Sequence, residues 1–148
     1  MTWDDKTEQT KSEAVMKLAI KLSDELNKVH EGVIDLDKSK RNAALALKIQ
    51  MDLSELLASS EWVAKGLKNK IKIVESTTAA NERTNAGKKL TDQAIKELVA
   101  RNPDVIEAEK NAIEAEKEFK KMSYIFGIMR EAHVFFRNLG NGKSEWNV

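Results

Sequence analysis

Residues 103–138 read PDVIEAEKNAIEAEKEFKKMSYIFGIMREAHVFFRN, and their spacing decides the fold class. Val105, Ala112, Phe119, Phe126 and His133 recur every seven residues, and Ala108, Ala115, Met122, Met129 and Phe136 follow three further on. Five unbroken heptads predict one long amphipathic helix, spanning about 54 Å at about 1.5 Å per residue. Its start is marked by Asn102, which caps, by Pro103 at the first helical position, and by Asp104 in the first turn. The seam is thin and alanine-based in its first half, thick with Phe and Met in its second. Ile106, Ile113, Ile125 and Ile128 widen the apolar arc beyond what one neighbouring helix covers. The expectation is therefore an all-α, elongated helical bundle whose C-terminal helix also gathers copies of the chain. Val105, Ala112, Phe119, Met122, Phe126, Met129, His133 and Phe136 are the expected oligomerisation residues.

Upstream, Thr91 predicts an N-cap for a short helix over 92–100. Before it, residues 75–89 (ESTTAANERTNAGKK) lose the apolar period and read as a loop. A second helix is expected from between Asp37 and Ser39 to about Val74. Leu45, Ile49, Leu53, Leu56, Val63, Leu67, Ile71 and Val74 form its stripe, and a close helix crossing would explain Gly66. A first helix over 7–30 repeats Val15, Leu22 and Val29 at seven, with Ala19 and Leu26 between, and ends at Gly32. Three segments follow from this: an acidic N-terminal helix (1–37), a helical core (38–139) holding the basic stretch 65–89 and the helix 103–138, and a frayed tail (140–148).

Composition narrows the function. The 148 residues include no cysteine and two histidines, which excludes disulfide scaffolds and Cys-ligated metal sites. Apolar runs are only a few residues long, whereas a membrane span needs about 20. The acidic start Met-Thr-Trp-Asp-Asp has no apolar segment after it, so cytoplasm is the expected location, the host cell's if the chain is phage-encoded. There is no Gly-rich phosphate loop, no HExxH and no Cys nucleophile. Glu107, Glu114 and Glu118 are spaced as a solvated helix face, and His133 reads as a packed seam residue. No catalytic residue, metal or cofactor is expected.

The near-neutral total, 25 basic against 24 acidic residues, hides an uneven distribution. Residues 1–37 hold nine acids and five bases. Residues 65–89 hold seven bases (Lys65, Lys68, Lys70, Lys72, Arg83, Lys88 and Lys89) against Glu75 and Glu82. Lys65, Lys68 and Lys72 share a helical face. Such a row neutralises a phosphate backbone without reading sequence, and the alternative is a solvated helix end. Trp62 precedes the row, where a lone helical Trp more often anchors a crossing than stacks on a base. A further alternative is a helical assembly, chaperone or phage morphogenesis protein that takes partner helices on the Phe/Met-rich stripe.

The order of elements resembles the phage recombination mediator family typified by UvsY. The likeness spans roughly Leu45 to Arg137. It consists of a lysine-bearing helix, a polar stretch, a short helix leading through Val-Ala-Arg-Asn-Pro-Asp-Val-Ile (99–106), and one long final helix. The family's Lys-x-Arg element would fall on Lys70-Ile71-Lys72, where Lys replaces Arg and keeps charge without the bidentate fork. The acidic first helix is outside the likeness. The resemblance implies a non-enzymatic homo-oligomer that binds single-stranded DNA and helps a strand-exchange recombinase displace a single-strand-binding protein.

Overall fold

The computed structural model describes residues 4–30, 35–87 and 89–142, with side chains from residue 10 onward except that of residue 30. Four helices and no strand occur among them: α1 (Asp4–His30), α2 (Leu36–Asn85), α3 (Asp92–Arg101) and α4 (Pro103–Gly140). The chain is an all-α helical bundle. None of these helices is long and apolar enough to cross a membrane.

The helix ends follow from local chemistry. Asp35 caps α2, its carboxylate accepting from the Lys38 amide at 3.0 Å. Thr91 caps α3 by accepting from the Ala94 amide at 3.2 Å. Asn102 closes α3 with its own N–H to the Val99 carbonyl and opens α4, its side-chain oxygen accepting from the Asp104 amide at 2.9 Å. α4 stops where the Asn141 amide reaches Arg137 O and Gly142 turns to φ 70°.

Two units share α2 and α4. The first comprises residues 1–58 and 121–148, the second residues 59–120. In the first, Val15, Ala19 and Leu22 of α1 join Ala43, Ala46, Ile49, Leu53 and Leu56 of α2 and Met122, Met129, Ala132, Phe136 and Leu139 of α4 in one core. α1 is thus part of a three-helix core rather than a separate segment. Polar side chains tie its neighbours together: His133 Nδ1 donates to Ala43 O at 2.9 Å, and Gln50 Nε2 to Met129 O at 3.0 Å. His133 is the packed residue its place on the seam predicted. In the second unit the buried residues are smaller: Ala64, Thr78, Ile95, Val105, Ala108 and Ala112.

Several expectations are corrected here. α2 does not end at Val74, and residues 75–85 are helix rather than loop. The hydroxyls of Ser76, Thr77 and Thr84 donate to the carbonyls of Lys72, Ile73 and Ala80 at 2.8–2.9 Å, so they do not compete with the helix for its amides. The inward stripe continues through Val74 and Thr78, with small residues in place of large ones. The stop comes only at Gly87, with φ 60°. α4 likewise runs past Asn138, and Gly140 is buried rather than part of a tail. A Cβ there would lie 2.7 Å from Lys40 Cγ and 3.2 Å from the Lys40 amide nitrogen, so any side chain at 140 would force Lys40 to shift. Gly32, Lys88, Trp3 and Trp146 lie outside the described residues.

The seam assigned to oligomerisation is, for the most part, this chain's own interior. Val105, Ala112, Met122, Met129 and Phe136 are buried, while Phe119, Phe126 and His133 are half-buried. A side chain sealed against its own helices is not available to a second copy.

Gly66 sits at no crossing, since a Cβ there meets nothing within 4 Å. Gly66→Ala is therefore expected to stabilise the fold by about 0.5–1 kcal/mol, because alanine loses less backbone freedom on entering a helix. A lower urea midpoint for the variant would refute an open helical position at Gly66.

Candidate nucleic-acid interface on the second half of α2

Because α2 continues to Asn85, the basic stretch is a helix face rather than a helix end plus a loop. At about 100° per residue, Lys65, Lys72 and Arg83 fall within about 20° of one another over a rise of about 27 Å. Asn69 and Ser76 lie on the same line, and all five are exposed. Trp62 stands at the head of this ridge with 77% of its surface exposed. It is therefore not the crossing anchor expected of it, and its ring face is open.

The seven predicted bases do not all converge. Lys65 bonds Glu61 at 2.6 Å, one turn back. Arg83 bonds Asp92 of α3 at 3.3 Å. Lys72 has no ion-pair partner among the described residues. Lys68 lies about 60° off the ridge and bonds Glu116 of α4 at 2.9 Å. Lys70 is turned about 140° away and lines a separate groove beside Glu82, Asp104 and Glu107. Lys89 is exposed beyond the end of α2, and Lys88 is not described. The core of the ridge is Lys65, Lys72 and Arg83, with Trp62 and Lys68 about 60° to either side of it.

The pairs on the ridge are open to exchange. Lys65 and Arg83 keep 71% and 62% of their side-chain surface exposed. Ion pairs of this kind are worth at most about 1 kcal/mol, so a phosphate displaces either carboxylate at little cost. Glu116 differs, because it holds both Lys68 and, at 3.0 Å, Lys120. Those two ammonium groups, Lys68 first, keep its carboxyl below the usual range near 4.5. A depressed carboxyl stabilises the fold at pH above 4.5, and that contribution is lost as pH falls through the lower folded value. Carboxyl-carbon NMR is expected to show Glu116 titrating below 4.5 in the native chain and closer to it in Lys68→Ala. Equal midpoints in the two proteins would refute the clamp.

The sequence carried a signal for this ridge that a loop at 75–89 concealed. Trp62, Asn69, Ser76 and Arg83 are seven apart, as are Lys65 and Lys72. A polar seven-residue period running into a polar stretch is helix evidence even where the apolar stripe has thinned.

No protein-family model matches the chain, and no curated protein or solved structure shows significant similarity to it.

Proposed function

We propose that this protein is a non-enzymatic single-stranded-DNA-binding protein that acts as a recombination mediator, binding the strand along the exposed ridge of α2. The observation that carries the DNA half is Trp62, an open aromatic at the head of a row of cations. A base stacks on such a ring with no sequence preference, and Lys65, Lys72 and Arg83 take phosphates spread over several nucleotides of the strand. The mediator half is supported by the order of elements shared with UvsY-like proteins. In that role the chain, in the host-cell cytoplasm and gathered in several copies through a surface other than the buried seam, stabilises the form of the strand that a recombinase recognises over the form coated by a single-strand-binding protein.

Binding of a fluorescent oligothymidylate at varied salt tests the DNA half. Affinity is expected to fall linearly on logarithmic axes as salt rises. Trp62→Ala should weaken single-strand binding by about tenfold, the usual worth of one stacked base, and leave weak duplex binding unchanged. Equal affinity for duplex and single strand would rule out a stacking role. The mediator half is tested by whether the protein speeds recombinase assembly on precoated strands, with solution mass measured alongside. On the stripe of the alternative reading, a helical assembly or chaperone protein that binds partner helices, Met122, Met129 and Phe136 are buried and Phe119 and Phe126 half-buried.

A further inference from the structure

Gly66 weakens α2 without a packing reason. A glycine inside a helix is less favourable than alanine, and no close crossing accounts for this one, since a Cβ at 66 meets nothing within 4 Å. What the missing side chain leaves open is Trp62, one turn back. Helical side chains tilt toward the N-terminus, so a side chain at 66 would lean over the residue at 62. With glycine there the indole stands bare. Trp62 is 77% exposed and has no hydrogen-bond or ring partner among the described residues.

The neighbours frame this opening. Lys65, which could also lie over the ring, is drawn instead to Glu61 at 2.6 Å. Around the helix, Gly66 lies about 40° from Trp62 on the side away from the cation row, and Lys65 about 60° on the other. Asn69 comes next along the same face, about 10.5 Å beyond Trp62 on the axis. It is exposed, and its amide makes no hydrogen bond among the described residues. The result is a notch with an aromatic wall, a backbone floor and an amide at its far end, beside a row of cations. A nucleobase, about 3.4 Å thick at the repeat of a stacked strand, fits between those walls.

We propose that the notch at Gly66 seats one nucleobase, which lies on the Trp62 ring while the neighbouring phosphates run over Lys65 and Lys72. This rests on the reading of α2 as a single-strand-binding face, and adds the residue that decides whether a base reaches the ring. Gly66 is a positioning residue: it acts by keeping Trp62 uncovered. Asn69 closes the seat with a group that both donates and accepts, so it can meet the edge of any base.

The test compares the full chain with Gly66→Leu on two labelled probes of equal length, an oligothymidylate and the same backbone without bases. Leucine suits a helix better than glycine, and its Cβ meets no neighbour here. Gly66→Leu should therefore unfold at the same urea concentration as the native chain or a higher one. Its affinity for oligothymidylate should nonetheless fall about tenfold, the worth of one stacked base, with affinity for the base-free strand unchanged. On a Trp62→Ala background the same substitution should have no further effect, because the ring it covers is gone. The proposal is overturned if Gly66→Leu binds oligothymidylate as the native chain does, if it loses both probes alike, or if it weakens binding equally with and without Trp62. A native chain that prefers oligothymidylate to the base-free strand, while Gly66→Leu keeps that preference, sinks the seat alone. A native chain that binds neither probe sinks the single-strand reading, and the seat with it.

Discussion

Phe136→Ala is expected to cost about 3–5 kcal/mol, the largest effect of any single substitution in this chain. Phe136 is fully buried, as are Leu22, Ile49 and Leu53 of the same core. Its ring meets Phe135 edge to face, with centroids 5.5 Å apart and planes at 72°, a geometry that adds to plain burial. Truncation removes the transferred surface and leaves a void that helices pinned by His133 and Gln50 cannot collapse around. Total stability for a domain is about 5–15 kcal/mol, so much of the cooperative transition is at stake. Tyr124→Ala on the same helix is the comparison. Tyr124 is 73% exposed, and its loss should change stability by no more than about 0.5 kcal/mol. Urea unfolding at two protein concentrations adds a second reading. If the seam closes within one chain, the Phe136→Ala midpoint is lowered equally at both. A midpoint that climbs with concentration would place Phe136 between copies instead.

Charge reversal along the α2 ridge carries the largest expected functional effect. The variant Lys65→Glu, Lys72→Glu, Arg83→Glu removes three phosphate partners and sets three carboxylates in their place. At about 1 kcal/mol per screened contact, loss of the contacts alone lowers single-strand affinity on the order of a hundredfold, and repulsion adds to this. The salt slope should fall by about 2, at about 0.7 per phosphate released on a single strand. Fold stability should hold, because these side chains are exposed and the pairs they give up are weak. Lys70→Glu alone should leave oligonucleotide binding nearly intact, since Lys70 is turned about 140° from the ridge. A triple variant that binds oligothymidylate with native affinity and slope would show the ridge to be a solvated face.

The seven-residue recurrence from Val105 to Phe136 was enough by itself to call for a long terminal helix, and Asn102-Pro103-Asp104 was enough to place its start. Thr91 did the same for α3, because a cap is a local bond between a side chain and amides two or three residues on; for α2 the start read between Asp37 and Ser39 falls slightly late, since the helix begins at Leu36 behind the Asp35 cap. The end of α2 was less legible. Ser, Thr and Asn have modest helix propensity, and nothing within residues 75–85 reveals that their hydroxyls will bond the preceding turn. The burial of Thr78 and the close neighbourhood of α3 supply what propensity lacks.

Periodicity states that a stripe must be covered; it does not say by what. Only the tertiary structure decided that Met122, Met129 and Phe136 are covered by α1 and α2 of the same chain, because that choice depends on which helices the turns bring alongside. The same holds for Trp62. Its position beside a lysine row was plain in the sequence, but whether it faced a neighbour or solvent depended on the direction in which α2 turned its small-residue stripe. Lys70 and Lys72 differ by two residues, hence by about 200° on a helix, and that angle acquires meaning only once α4 defines which side is in.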